Sequence, residues 1–233
     1  MPKIFSSNTI LEAWLDAYKH LLDQNGGEDF NVIVEIKNVS IIENDCFKKY
    51  NPKRLNNGLK STKDVANTIF PKKIYDNDNN RSKLYEHYIK VHEKASKRTK
   101  SKAWGTYFLR LISFGETKTN QLEQAIVKIN SWKNNSKTAF IFHLSSPEFD
   151  NPRPLGGPCL QYIALHILDN TISMVAVYRN HDYFKKALGN FIGLSYLLEY
   201  ICKETGKEMG SIICHSVHAE LGATKKIARS LIE

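Results

Sequence analysis

Hydrophobic positions along this chain change their spacing several times, and each change marks an element. In "SNTILEAWLDAYKHLLDQNGG" (7–27) the apolar residues Ile10, Leu11, Trp14, Leu15, Tyr18, Leu21 and Leu22 recur every three or four positions. A Ser/Asn/Thr start and a Gly-Gly stop bracket them, which predicts an amphipathic opening helix. "FNVIVEI" (30–36) alternates as a strand does. "NPKRLNNGLKSTKD" (51–64) and "DNDNNRS" (76–82) are polar and read as turn-rich loops, with a helix from about Ser82 to Glu93 after the second. Beyond it, "WGTYFLRLISF" (104–114) reads as a strand, "TNQLEQAIVKINSW" (119–132) as a helix and "AFIFHLS" (139–145) as a strand.

The two runs "LQYIALHIL" (160–168) and "TISMVAVYR" (171–179) are joined by Asp169-Asn170, a two-residue link of the hairpin type, which predicts an antiparallel pair. Such a pair runs out from Cys159 and back to Arg179, bringing both to one end of a sheet. "NFIGLSYLLEYICKETG" (190–206) then reads as a helix with Asn190 at its start and Gly206 as its C-cap, and "GSIICHSVHAEL" (210–221) as the last strand. Helices and strands are mixed, and no repeat or linker divides the chain. The expectation from the pattern is one mixed α/β domain over residues 1–233.

Composition narrows the function classes. At 233 residues and 42% hydrophobic content the chain can bury a substantial core. It lacks the apolar run of roughly 18 residues that a membrane span needs, and it opens without a basic leader, so a cytoplasmic protein with no membrane partner is expected. The four cysteines form no C-x-x-C pair and no zinc-like spacing with histidine, so they read as free thiols with no metal. The formal charge of +9 favours an anionic partner. Its basic runs "KASKRTKSK" (94–102) and "TKKIAR" (224–229) lack interleaved aromatics, which weighs against nucleic acid.

The candidate chemistry gathers at Cys159. A thiol attacks as a thiolate, and a guanidinium returned to its end of the sheet favours that form. Taken alone, a strand cysteine is more often core than catalyst. Here Pro158-Cys159 is followed by Arg179-Asn180-His181-Asp182 and then by Asn190. This ordered set resembles the signature of the thymidylate synthase and pyrimidine hydroxymethylase family, closest to the short archaeal type. "GSIICHSVHAEL" is similar to that group's closing strand and "WGTYF" to its Tyr-Gly motif. The resemblance is specific over residues 153–222.

The resemblance implies a thymidylate-synthase-like α/β fold, a large mixed β-sheet flanked by helices, a homodimer joined sheet to sheet, and one-carbon transfer, as methyl or hydroxymethyl, to C5 of a pyrimidine nucleotide, with 5,10-methylenetetrahydrofolate as donor. Cys159 would add to C6, and Arg179 would favour the thiolate and bind phosphate. Asn190 would read the O4 and N3–H edge of uracil, because its amide offers a donor and an acceptor in one plane. Asp182 would hold the pterin ring of the folate. Gln161 and Tyr162 would support the cysteine strand, and Gln161, Asn180, His181, Glu220 and Lys137 complete the substrate pocket.

Departures from the family pattern matter too. Lys137 and Thr138 stand where the family has paired arginines, Glu220 to Gly222 replace its His-x-Tyr, and Lys185 and Lys186 fall in a loop that is otherwise apolar and glycine-bearing. They imply a changed sugar and phosphate pocket, and leave open a catalytically decayed nucleotide-binding or regulatory protein on the same fold. His215 and His218 read as structural or solvated. Glu86 and Glu93 read as an exposed helical face, and no general base is assigned.

Overall fold

The computed structural model describes residues 1–40, 42, 45–78, 80–98, 104–131, 138, 140–152 and 157–233. Its strands are β1 (Lys3–Ser7), β2 (Glu28–Ile36), β3 (Phe140–His143), β4 (Leu160–Leu168), β5 (Thr171–Tyr178), β6 (His181–Asp182) and β7 (Glu208–Glu220). They form one seven-stranded sheet in the order β1-β2-β7-β5-β4-β3, with the short β6 also paired to β7. The helices are α1 (Ile10–Asp23), α2 (Asp45–Lys48), α3 (Tyr50–Asn56), α4 (Thr62–Ala66), α5 (Lys72–Asp78), α6 (Arg81–Arg98), α7 (Tyr107–Ile112), α8 (Gln121–Ser131), α9 (Pro147–Asp150), α10 (Leu188–Thr205) and α11 (Lys225–Ile232). The expected mixed α/β architecture, a large mixed sheet flanked by helices, is what the chain adopts.

The sheet is asymmetric in burial. Along β5 every second residue, Ile172, Met174, Ala176 and Tyr178, is buried, and the residues between them are half-exposed. β7 repeats the pattern with Ile212, Cys214 and Ser216. Period-two alternation of this kind puts one face of the sheet on the core. Against that face lie α1, with Trp14 and Tyr18 fully buried, and α10, buried almost all round from Leu188 to Cys202. Each such aromatic or aliphatic side chain contributes about 1.5–3 kcal/mol through burial. The opposite face leaves Ile141, Tyr162 and Val217 more than a third exposed.

The opening helix, the 160–179 hairpin, the 190–206 helix and the last strand fall where the periodicity puts them. Asp169 takes a left-handed backbone (φ 52) in the two-residue link. Three readings are corrected. The run 104–114 is not a strand: Thr106 accepts from the Leu109 N–H and starts α7, whose buried Tyr107, Phe108, Leu111 and Ile112 share one helical face. The polar stretch 51–64 holds α3 and α4 rather than a loop, because Tyr50 and Arg54, four apart, are both buried and Ser61 accepts from the Asp64 N–H. Residues 76–78 likewise end α5.

α10 approaches α4 so closely that side chains are excluded between them. A Cβ on Gly189 would stand 2.5 Å from the Val65 Cβ, and one on Gly193 would stand 2.8 Å from the Ala66 carbonyl oxygen. α10 is preceded by one wide π-type turn, Tyr183–Ala187, so Asn190 is its third residue rather than its first. Among the described residues no helix is long and apolar enough to cross a membrane.

Candidate active site

A cavity of about 260 Å³ opens at the end of the sheet where the hairpin returns, lined by Cys159, Asn180, His181, Asp182, Asn190 and Lys186, with Tyr107 and Tyr178 beneath and Trp104 and Gly105 at its side. Sheet geometry delivers these groups together. β4 starts immediately after Cys159 and β5 ends immediately before Arg179, whose N–H donates to the Cys159 carbonyl at 2.9 Å. The turn into β6 then carries Asn180, His181 and Asp182 across to β7.

Cys159 is half-buried, whereas Cys46, Cys202 and Cys214 are buried. Burial pushes its thiol above the ordinary range; Arg179, and less strongly Lys186, pull it down, while Glu220 and Asp182 push it up. The Arg179 guanidinium does not line the cavity. Its Nε donates to the Pro158 carbonyl at 3.1 Å and its Nη2 to the Gly157 carbonyl at 3.4 Å. Arg179 thus holds the chain at the cysteine and acts on the sulfur through its charge. Gln161 does similar work, donating to the Pro158 carbonyl at 2.8 Å.

Asn190 and His181 form a fixed pair. The Asn190 amide nitrogen lies 3.1 Å from His181 Nε2, and His181 Nδ1 lies 3.0 Å from the Ser216 hydroxyl. An amide N–H can only donate, so Nε2 accepts and the ring's proton sits on Nδ1, facing Ser216. The ring is 1% exposed and stacks on Tyr178 with centroids 4.0 Å apart. Burial drives its pKa down to about 3, so it stays neutral. Asn190 therefore keeps its carbonyl and second N–H for the cavity.

Asp182 caps the π-type turn. One carboxylate oxygen accepts from the Lys185 N–H at 2.7 Å, and the other is 3.4 Å from Lys185 Nζ. That second oxygen packs on Gly222, where an added Cβ would stand 2.4 Å away. Burial raises the Asp182 pKa, and Lys185 opposes the rise. Glu220, opposite Asp182 across the β6–β7 ladder, accepts from Asn180 Nδ2 at 2.8 Å. Asn180 Oδ1 lies 2.8 Å from His218, which in turn reaches Glu28 at 3.0 Å. His218 therefore belongs to a polar chain behind the cavity, whereas His215 sits 3.1 Å from Asn31 on the exposed side.

Of the residues singled out from sequence, Cys159, Asn180, His181, Asp182 and Asn190 share the cavity wall, while Arg179, Gln161 and Glu220 stand behind it. Lys137 lies outside the described residues; Thr138 is exposed. Glu86 pairs with Lys90 on the exposed face of α6. Sequence reasoning quoted Tyr107 within "WGTYF" without giving it a role, and its hydroxyl accepts from the Leu160 N–H at 3.4 Å; it missed Tyr178, whose buried hydroxyl has no hydrogen-bond partner among the described residues. The inward phase of β5 could have flagged Tyr178; Tyr107 was hidden by reading its helix as a strand. Also missed was Arg54, fully buried, which donates to the carbonyls of Lys60, Phe184 and Lys185 and so clamps the turn beside the cavity. Among the described residues no group of His, Cys, Asp or Glu could hold a metal ion.

The chain is 27% identical over 167 residues to a protein of Methanocaldococcus jannaschii, a match that covers 67% of this chain and 73% of that protein. It is 26% identical over 105 residues to one from Methanothermobacter thermautotrophicus (44% and 45% covered) and 29% identical over 116 residues to one from Methanococcoides burtonii (50% and 52% covered). Each of the three bears the name "Putative thymidylate synthase". The chain is thus similar to archaeal proteins bearing that name, at 26–29% identity. No family model matches it. For the last two relatives the match spans about half of their length.

Proposed function

We propose that this protein transfers a one-carbon unit to C5 of a uracil-bearing nucleotide through a covalent adduct at Cys159. The observation that carries the reading is that the half-buried thiol and the oriented amide of Asn190 line one cavity. C5 of uracil is a weak nucleophile until sulfur adds at C6; the thiolate forms that bond and leaves once C5 has taken the carbon and lost its proton. Asn190 offers an acceptor to N3–H and a donor to O4. Asp182 keeps one oxygen toward Gly222 and is the acceptor for the pterin ring of 5,10-methylenetetrahydrofolate, which supplies the carbon when bound. The product would be methyl where the tetrahydrofolate also gives up a hydride, and hydroxymethyl where water adds instead. The outward sheet face with Ile141, Tyr162 and Val217 is the surface through which two copies pair. Such an enzyme acts in the cytoplasm on nucleotides.

Intact-mass analysis after incubation with 5-fluoro-dUMP and methylenetetrahydrofolate tests the reading, because fluorine cannot leave as a cation and the ternary adduct stays on the protein. The expected result is a mass increase equal to nucleotide plus folate, absent in Cys159→Ser. Binding without any adduct would instead support a second reading, a nucleotide-binding protein whose catalysis has decayed. That reading draws on the raised Cys159 thiol and on an Arg179 guanidinium bonded to carbonyls rather than to sulfur. Binding of neither ligand refutes both. Asn190→Asp, which replaces an amide by a group that only accepts, should move preference from uracil toward cytosine nucleotides.

A further inference from the structure

We propose that Lys186 is the anchor for an anionic group, phosphate or carboxylate, on a ligand of this cavity. The proposal rests on the function argued above and names which residue holds that ligand's charged end. Lys186 is the one basic side chain among the described residues lining the cavity. It sits on the Tyr183–Ala187 turn, and that turn is held from both sides. Asp182 accepts the Lys185 N–H at 2.7 Å, and buried Arg54 donates to the Phe184 and Lys185 carbonyls at 2.9 and 2.7 Å. Trp14 adds a third tie, donating to the Tyr183 carbonyl at 3.0 Å. The backbone that presents Lys186 is therefore fixed before any ligand arrives.

The charges around it do not balance. Lys60, Arg54 and Lys185 act on Lys186 as like charges, and Asp182 is the one carboxylate acting against them. Asp182 is already engaged by Lys185, its Nζ at 3.4 Å. Among the described residues the Lys186 ammonium has no hydrogen-bond or ion-pair partner. Burial and Lys60 hold its pKa below the ordinary lysine range, so the protein leaves the ammonium under-compensated. An anion brought beside it relieves that field and gains a charge-assisted hydrogen bond. Arg179 is not among the residues lining the cavity, and its Nε and Nη2 donate to the Pro158 and Gly157 carbonyls. A lysine suits the task as a compact point charge on a flexible stem.

Two sources offer the anion, the phosphate of a nucleotide and the carboxylates of a folate. Calorimetric titration of the full chain and of Lys186→Ala and Lys186→Arg with dUMP, deoxyuridine, folate and 6-methylpterin separates them. Lys186→Ala should weaken one anionic ligand about tenfold or more. Its uncharged counterpart should be unaffected, and Lys186→Arg should retain most of the affinity. Loss on dUMP alone assigns the phosphate; loss on folate alone assigns the carboxylates. Thermal unfolding of Lys186→Ala should match the parent, since no internal bond is lost. Equal binding of dUMP and folate by Lys186→Ala and parent overturns the proposal while leaving the one-carbon reading intact. If the parent binds none of the four, the one-carbon reading fails, and inorganic pyrophosphate decides the anchor alone. Pyrophosphate should slow iodoacetamide labelling of Cys159 in the parent and not in Lys186→Ala, and its failure to slow labelling in the parent overturns the proposal.

Discussion

Acidification should destabilise this protein through His181, and the size of the effect follows from burial. The ring is fully enclosed, its two nitrogens satisfied by Asn190 and Ser216, and its pKa is held down to about 3 from the ordinary 6.5. In the unfolded chain the same ring gains a proton as pH falls through 6.5, whereas the folded chain does not until pH nears 3. Its contribution to stability is therefore complete above pH 6.5 and declines below it, at about 1.4 kcal/mol per pH unit. Moving from about pH 7.5 to about pH 5 should remove about 2 kcal/mol. Other groups titrate in the same interval, so the effect is read as a difference of differences. Guanidinium unfolding of the parent and of His181→Gln at both pH values should reveal about 2 kcal/mol more acid loss in the parent. Identical acid losses, or a His181 ring resonance titrating near pH 6.5, would refute the enclosed neutral ring and with it the fixed orientation of Asn190.

Gly222→Ala should cost about 1–2 kcal/mol from its left-handed backbone alone, φ 63. It should also push the Asp182 carboxylate off the Lys185 N–H, so thermal unfolding and folate binding should fall together; an unchanged melting temperature refutes the contact. Tyr178→Phe removes a buried hydroxyl without a partner among the described residues, so stability in guanidinium should hold or rise by up to about 1 kcal/mol. A loss above about 1 kcal/mol would reveal a partner inside the fold. Arg54→Met should cost about 3 kcal/mol or more, because it removes the donors to the buried Phe184 carbonyl and to the part-buried Lys60 and Lys185 carbonyls; a loss below about 1 kcal/mol would refute the clamp.

The elements legible in the sequence were those whose apolar period survives over many residues. α1 carries a capping box at Thr9 and Glu12 and a continuous apolar stripe, and the hairpin carries strict alternation on either side of a two-residue link. α7 was misread because a short apolar run suits strand or helix equally, and the decision was made by the Thr106 cap and by burial of neighbouring residues Tyr107 and Phe108. α3 escaped because one of its two buried residues is an arginine, which hydropathy counts as outside. The order of the sheet was not legible at all. That β7, last in the chain, lies between β2 and β5 is set by pairings across the whole sequence, to which local pattern is blind.

The candidate site divides along the same line. Cys159 and Arg179 could be brought together from the hairpin's length, which fixes which ends meet, whereas Asp182 and Asn190 were named through the family resemblance. What each side chain does could not, since that depends on groups far away in sequence. Arg179 turns to the carbonyls of Gly157 and Pro158, and Asn190 takes its orientation from a ring that is itself oriented by Ser216 on β7. Gly222 carries the same lesson in reverse. Read as a lost tyrosine it signals a weakened sugar pocket, yet in the fold its missing side chain is the space that the Asp182 carboxylate occupies. A tyrosine there would need Asp182 to move. Restoring Tyr at 222 alone would damage the acid before it could rebuild a sugar contact.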